Sequence, residues 1–482
     1  MICALTPQSM RSLEMDFMKT SGIPGMLLME HAAAAVVRHM KGARNALFIC
    51  GPGNNGGDGL AAARLFAAAG GVPVVWLAAP FDNLSNDAQA QSRILRAMGI
   101  SIFELTADSI HKIPCVDWIV DALFGTGLSR EATGVNRALI ELANESGIPV
   151  LSIDIPSGID GGTGRALGPA IRAARTVTFH CPKIGHYIYP GRELAGELIV
   201  EPIGIPQIYR NNDMPCAELL EDSDIDALLP ARKLDSHKGD YGHALIIAGS
   251  LGMAGAAAIC AEGAVRGGAG LTTVACDPSI IPIVQTLVPT AMAASLSCAD
   301  DLRGALIGKR CAAVGPGLSR KPGLLDILSP LFDCALPQVW DADALNLLAE
   351  ANRKPPAYSI LTPHPGEAAR LLGVEATDIC SSPIESAREL SSQTGAVVLL
   401  KGAATIIAYG GRLALNHRGS PAMAKGGSGD ALTGIITALL AQGLSLFDAA
   451  RVGAYLHGRA GERACAAVGE RAVTALDILS RL

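Results

Sequence analysis

The chain has 482 residues, 49% of them hydrophobic and 17% charged, with a formal net charge of −6. It is too long for one hydrophobic core, so two or three domains are expected, and too apolar to be disordered. The acidic balance, without any dense Lys/Arg run, gives no reason to expect a nucleic-acid partner, and twelve cysteines without a CxxC pair point away from a thiolate zinc site and toward reduced thiols in a cytoplasmic protein.

At the start of the chain Arg11, Glu14, Asp16 and Lys19 break any apolar run, so no signal peptide is expected. Pro7–Thr20 and Gly25–Met40 read as two leading helices. Asn45–Cys50 is a short apolar strand running into a glycine loop, Leu60–Ala69 is helical in composition, and Val72–Leu77 is a β-branched strand. The stretch Leu60–Pro80 carries only Arg64 as a charge, but Gly70, Gly71 and Pro73 cut it into pieces shorter than the ~20 residues a membrane span needs, so no membrane partner is expected. Asp117–Ala122 and Val150–Asp154 are further buried strands, with the helix Val135–Asn144 between them. Such alternation predicts a parallel sheet covered by helices.

The pattern breaks between about Ile205 and Asp240, where the polar turn Asn211–Pro215, the acidic Glu218–Asp226 and the basic Arg232–Lys238 follow one another. A domain boundary is expected there: residues 1–210 as one domain, 211–228 as linker, 229–482 as the second domain. The alternation then restarts. Strands are predicted at Ala244–Ala248, Leu271–Ala275, Cys311–Val314, Gln338–Asp341, Ser359–Thr362 and Ala396–Leu400, a small-residue helix at Ala254–Gly267, and a long helix from Asp430. The fold class is therefore α/β throughout.

Three loops of the first half carry chemistry. Gly51-Pro-Gly-Asn-Asn-Gly-Gly-Asp-Gly59 lies between a strand and a helix, where backbone N–H groups and the helix dipole favour an anion. Gly51, Gly53 and Gly56 fit GxGxxG, but a dinucleotide-binding Rossmann unit places an acid at the end of the next strand, and here the first acid, Asp82, falls beyond it. The alternative is a plain tight turn. Asp121-Ala-Leu-Phe-Gly-Thr-Gly127 and Asp154-Ile-Pro-Ser-Gly158 also follow strands; either Asp alone could be a turn former. Together with Gly22-Ile-Pro-Gly-Met-Leu-Leu-Met-Glu-His31 and Ile203-Gly-Ile-Pro206, these loops resemble the NAD(P)H-hydrate epimerase domain over Leu5 to Pro206. His31-Ala-Ala33 departs from the family pattern, which has a basic residue and then Ala-Gly. The resemblance implies a Rossmann-like three-layer fold. It implies that the hydrated dinucleotide is bound by Asn54, Asn55, Gly56, Gly57 and Asp58, by Gly125, Thr126, Gly127, Leu128, Ser129, Arg130 and Glu131, and by Asp154. It also implies a potassium ion held by Asn55, Asp121 and Ser157. The substrate carries a hydroxyl on carbon 6 of the reduced nicotinamide ring as R or S epimer. Opening and re-forming that bond needs an acid–base group, for which Asp154 or a bound water is the candidate.

In the second half, Lys425-Gly-Gly-Ser-Gly-Asp430 precedes the apolar helix. Its glycines free a row of N–H donors where a transferring phosphoryl group would sit, and Asp430 is placed to take a proton from a hydroxyl nucleophile; otherwise Asp430 is an N-cap. His237-Lys-Gly-Asp-Tyr-Gly242, Ala248–Ala256, Asp341-Ala-Asp-Ala-Leu-Asn346, Thr362-Pro-His-Pro-Gly-Glu367 and Lys401-Gly-Ala-Ala-Thr405 accompany it. As a set they resemble the ribokinase-like ADP/ATP-dependent NAD(P)H-hydrate dehydratase over Leu229 to Leu482. The resemblance implies nucleotide contacts from Lys401, Gly402, Ala403, Ala404, Thr405 and Gly429. It implies hydrate contacts from Gly255, Ala256, Gly317, His364 and Asp430, with ADP or ATP as co-substrate, Mg²⁺, and assembly into a homo-oligomer. Small molecules (hydrated NADH and NADPH, ADP, ATP) are the expected partners. The competing reading is a ribokinase-like small-molecule kinase with a non-catalytic ligand-binding first domain.

Overall fold

The computed structural model describes residues 1–106, 112–206, 214–229 and 231–482. The polar turn Asn211–Asp213 lies outside them. The chain divides into two compact units, Cys3–Ala217 and Glu218–Leu482, the latter joined by Met1–Ile2. Among the described residues no helix is long and apolar enough to cross a membrane.

In the first unit, β1 (Ile2–Leu5) leads into the helix Pro7–Ser21. The strands β2 (Asn45–Cys50), β3 (Val72–Leu77), β4 (Ile102–Glu104), β5 (Trp118–Ala122), β6 (Val150–Ile153), β7 (Arg175–Phe179) and β8 (Glu197–Glu201) follow. They form a seven-stranded sheet in the order β4-β3-β2-β5-β6-β7-β8, every pair parallel. One core, with Met10, Leu13, Phe17, Val36, Leu60 and Leu95, packs the helices Pro7–Ser21, Gly25–Arg38, Asn54–Ala68 and Asn86–Ala97 on one face. A second, with Leu139, Ile140 and Ala143, packs the helix Gly134–Glu145 on the other. β2 is flanked by β3 on one side and β5 on the other, so the strand order reverses there and a crevice opens between their following loops.

The glycine loop is shorter than its sequence suggests. Its helix already begins at Asn54, so Asn54–Asp58 form the first helical turns. The glycines are there largely for packing: a Cβ on Gly56 would lie 1.9 Å from Gly51 O, and one on Gly51 equally close to Leu123 O. Only at Gly53, the N-cap, would a Cβ meet nothing within 4 Å.

The described part of the expected linker, residues 214–228, carries regular structure. Residues 216–219 form β9 (Cys216–Leu219), and Asp222–Leu228 is a helix. From Glu218 on, the chain packs with the second unit, because the Glu218 carboxylate takes Arg412 (3.0 Å) and Arg451 (2.6 Å) and Leu220 and Ile225 join its core. An acidic run that reads as solvated is thus held by basic groups far along the chain.

The remaining strands are β10 (His243–Ile247), β11 (Leu271–Cys276), β12 (Met292–Ser295), β13 (Cys311–Val314), β14 (Gln338–Trp340), β15 (Ser359–Leu361), β16 (Val397–Leu400), β17 (Thr405–Tyr409) and β18 (Arg412–Asn416). They run in the order β9-β18-β17-β16-β15-β14-β13-β10-β11-β12. The sheet is parallel from β12 to β16, and β16-β17-β18 is an antiparallel meander. Strand order reverses at β10, between β11 and β13. The helices Ala254–Arg266 and Ser428–Ala441 lie against each other through small residues and share the main core with the sheet.

Candidate functional sites

In the first unit, the loops after β2, β5, β6 and β7 meet around two buried carboxylates. Asp121, in β5, accepts from Ser152 Oγ (2.8 Å), Ser157 N (2.9 Å), Ser157 Oγ (2.6 Å) and Leu123 N (3.3 Å). Burial nevertheless leaves its carboxyl above the usual range. Beside this knot, a Cβ on Gly125 would lie 3.2 Å from the Asn55 side chain, whose amide oxygen and nitrogen are both buried without a hydrogen-bond partner. An orphaned buried amide is costly unless something fills its place. Asp121 and Ser157 are therefore in direct contact, and Asn55 adds an oxygen with no donor. The donor set, one carboxylate with neutral oxygens, suits a large hard cation.

Asp154 follows β6 with φ +68°. Its Oδ1 takes Lys183 Nζ at 2.5 Å and Thr178 Oγ1 at 3.1 Å, its Oδ2 takes Thr126 N at 3.4 Å, and Lys183 Nζ also donates to Thr178 Oγ1 at 2.8 Å. Burial works to raise this carboxyl, but Lys183 and Thr178 outweigh it and hold it below the usual range. Asp154 is thus an ionised base at neutral pH. His186 Nδ1 accepts from Lys183 N (3.0 Å), so Nε2 carries the hydrogen and donates to Asp154 O (3.0 Å). Burial and Lys183 push this imidazole down to about 3, which keeps it neutral. Asp58 moves the opposite way: burial, with Asp154 and Glu14 nearby, pushes its carboxyl well above its ordinary range. Thr126 and Gly125 of the expected loop reach these groups, whereas Glu131 turns outward to Arg137 (3.2 Å). Lys183, Thr178 and His186 are absent from the sequence expectation. A lone Lys in the apolar stretch Thr176–Ile188 was the available signal.

In the second unit, the helix Ser428–Ala441 is capped by Gly427 at φ +87°. Asp430 is therefore inside the first turn, not the cap. Burial and the neighbouring Asp341 push its carboxyl up to about 7, against the pull of Lys401. Lys401, just after β16, donates to Asp341 Oδ1 at 2.7 Å and lies 3.9 Å from Glu367 Oε2, while Thr433 Oγ1 donates to Asp341 Oδ2 at 2.7 Å. Burial disfavours the charged amine, yet the two carboxylates hold its pKa above the ordinary lysine value. A Cβ on Gly429 would touch only Lys401 Nζ, at 3.5 Å, so the space over Gly429 is open. Gly317 packs on Ala256 and Met253, and its carbonyl accepts from Ser250 Oγ (2.9 Å); Gly255 and Ala256 open the helix Ala254–Arg266. His364 caps the helix Pro365–Leu372: its Nδ1 accepts from Gly366 N (3.0 Å) and its backbone N–H donates to Glu367 Oε2 (2.8 Å). The chain Asp430, Asp341, Lys401, Glu367, His364 is thus one electrostatic network. Gly402, Ala403 and Ala404 lie in the turn between β16 and β17 that Thr405 closes onto Gly402 O (3.4 Å). Asp341 and Glu367 stood in quoted motifs without an assigned role, and Thr433 stood in none.

Residues 26–185 match the family described as YjeF-related protein N-terminus, and residues 244–482 the family described as NAD(P)H-hydrate dehydratase. The bifunctional NAD(P)H-hydrate repair enzyme Nnr of Moorella thermoacetica is 40% identical over 95% of this chain and 92% of its own length. The chain belongs to the bifunctional NAD(P)H-hydrate repair enzyme family. The member from Escherichia coli K12 is 38% identical, covering 91% of this chain and 84% of its own. A ribokinase-like superfamily protein of Enterococcus faecalis superposes with a TM-score of 0.51 at 26% identity, over 55% of this chain and 93% of its own, in keeping with the ribokinase-like second unit of this repair-enzyme family.

Proposed function

We propose that the Cys3–Ala217 unit interconverts R and S hydrates of NADH and NADPH, and that the unit from Glu218 dehydrates the S form using ADP or ATP. The observation that carries this is the presence of two separate charged clusters in one chain of this family, one around Asp154–Lys183 and one around Asp430–Lys401. In the second, Asp430 takes the proton of the carbon-6 hydroxyl, whose oxygen bonds to the terminal phosphorus as the P–O bond to the rest of the nucleotide breaks, so that ADP leaves from ATP or AMP from ADP with the electron pair. The open space over Gly429 and the N–H groups at the helix start receive the phosphoryl group's charge, and Lys401 adds a positive one. The C–O bond then breaks with the ring nitrogen's lone pair pushing phosphate out, and loss of the carbon-5 proton restores the dihydronicotinamide. Among the described residues no three His, Cys, Asp or Glu side chains gather as a metal site. A magnesium ion would supply charge neutralisation as a companion of the nucleotide phosphates, as that ion commonly does.

Asn55, Asp121 and Ser157 are the residues that would hold potassium, supplying positive charge next to the phosphates of the dinucleotide. Replacing potassium by tetramethylammonium should slow epimerisation, and Asp121→Ala should abolish both activity and response. An unchanged wild-type rate would remove the ion from the reading. Subunit association and a cytoplasmic location complete the proposal. The test of the whole is to add ADP, then ATP, to hydrated NADPH and follow return of the dihydronicotinamide absorbance with phosphate release. A stable phosphorylated product would instead favour a small-molecule kinase.

A further inference from the structure

The loops recognised by motif do not complete the epimerase site; the leading helix also enters it. Leu5 pairs with Lys183 as a parallel bridge, with Leu5 N donating to Pro182 O at 2.9 Å. Thr6 caps the helix that follows, its Oγ1 accepting from Ser9 N at 3.0 Å. The start of Pro7–Ser21 is thereby fixed to the segment that carries Lys183. Pro7 packs on the loop after β6, 3.0 Å from a Cβ on Gly161, and Arg11 Nη2 comes within 3.9 Å of a Cβ on Gly127. Met10, Leu13 and Phe17 bury the core stripe of this helix. Glu14 follows Arg11 by one turn, so the two share the stripe that faces the loops.

Four ionisable groups from four elements lie close enough to Glu14 to act on it: Arg11 on its own helix, Asp58 in the helix after the glycine loop, Asp154 after β6 and Lys183 after β7. His186 beside them stays neutral. Burial pushes the Glu14 carboxyl up to about 7, helped by Asp154 and opposed by Lys183 and Arg11, while Lys183 holds Asp154 ionised. Two carboxyls in one site, driven to opposite protonation states by their surroundings, are the arrangement that divides acid from base.

We propose that Glu14 is the proton donor of the epimerase site and Asp154 its paired base. The inference rests on the epimerase reading of this unit. As the C6–O bond of the hydrate breaks, its electron pair goes to oxygen, Glu14 gives that oxygen its proton, and the ring nitrogen's lone pair forms C=N. Water leaves. Water then adds to the opposite face of C6; the π pair returns to nitrogen, and Asp154 takes the proton the new hydroxyl sheds. Transfer of that proton back to Glu14 through solvent resets the site, with no oxidant or reductant consumed.

The experiment follows loss of purified R-NADPH hydrate in the full-length chain without ADP or ATP, after subtraction of the uncatalysed rate. Glu14→Gln should lower turnover about 100–10,000-fold, the range of general acid catalysis, with KM little changed and Glu14→Asp recovering part of the rate. Wild-type turnover should fall as pH rises through about 7, where Glu14 ionises, and the residual rate of Glu14→Gln should lack that fall. ADP-dependent dehydration of the S hydrate should be untouched, and a thermal melt matching wild type reports a correctly folded first unit. Turnover within a few-fold of wild type overturns the assignment, as does a slow variant that keeps the alkaline fall. A wild-type chain that leaves the R hydrate unchanged overturns the epimerase reading itself, and this inference with it.

Discussion

Gly429 and Asp430 sit side by side at a helix start and answer to different forces. A side chain at Gly429 meets little protein, since only Lys401 Nζ lies within 4 Å of its Cβ position. Gly429→Val should therefore fold normally while crowding the phosphoryl group and displacing an N–H donor, a loss worth about 100–1000-fold in dehydration rate; steady-state turnover with S hydrate measures it, and a near-normal rate would make the glycine structural. Asp430 carries a cost. Its carboxyl is held up to about 7 in the fold, against an ordinary value near 4 when unfolded. As pH rises through that window the unfolded chain ionises first, so stability is present below about 4, drains away up to about 7, and stays lost above. Asp430→Asn cannot ionise. Its thermal midpoint should match wild type at pH 4 and exceed it at pH 8, with dehydration abolished. An equal or lower midpoint at pH 8 would contradict the burial argument.

At the scale of elements, the helices Ala254–Arg266 and Ser428–Ala441 approach so closely that a Cβ on Gly434 would lie 2.0 Å from Cys260 O and one on Gly263 2.7 Å from Ala431 O. That contact fixes the helix whose first turn holds Asp430. Gly434→Ala should force the pair apart, at about 1–3 kcal/mol for overpacking, and lower dehydration as Asp430 shifts from Lys401. Thermal melts and turnover check this; an unchanged midpoint would mean the helices yield without cost. The small-residue composition of both helices was legible in the chain, and so was the strand alternation. Element ends were less so. The long helix begins at Ser428, two residues before the predicted start at Asp430, because Gly427 takes the left-handed cap. The hairpin β17–β18 is absent from the expected elements, although Gly410-Gly411 between its two five-residue strands is a hairpin signal.

For the whole molecule, two units with separate cores and separate charged networks imply separable activities. Asp430→Asn should lose dehydration and keep epimerisation, whereas Lys183→Met, which leaves the buried Asp154 unpaired, should lose epimerisation. Removing one partner of a buried pair costs roughly 3–5 kcal/mol, so the second variant should also melt earlier. Assaying both reactions on each folded variant decides it, and joint loss of both activities in Asp430→Asn would defeat the two-site reading.

What the chain alone determined is what local pattern and motif spacing carry: two α/β halves, the glycine-rich helix starts, and the motif residues Asn55, Asp121, Asp154, Lys401 and Asp430. The two halves and the helix starts follow from hydrophobic periodicity and from glycine, which are properties of short windows; the roles of the motif residues are what the family resemblance implies. Only the tertiary structure decided which distant groups set their charge. Lys183 fixes Asp154 from another loop, Asp341 and Lys401 oppose each other over Asp430, and Glu14 enters from the leading helix. Protonation depends on burial and on charges a few ångströms away in space, and neither is written in the order of residues.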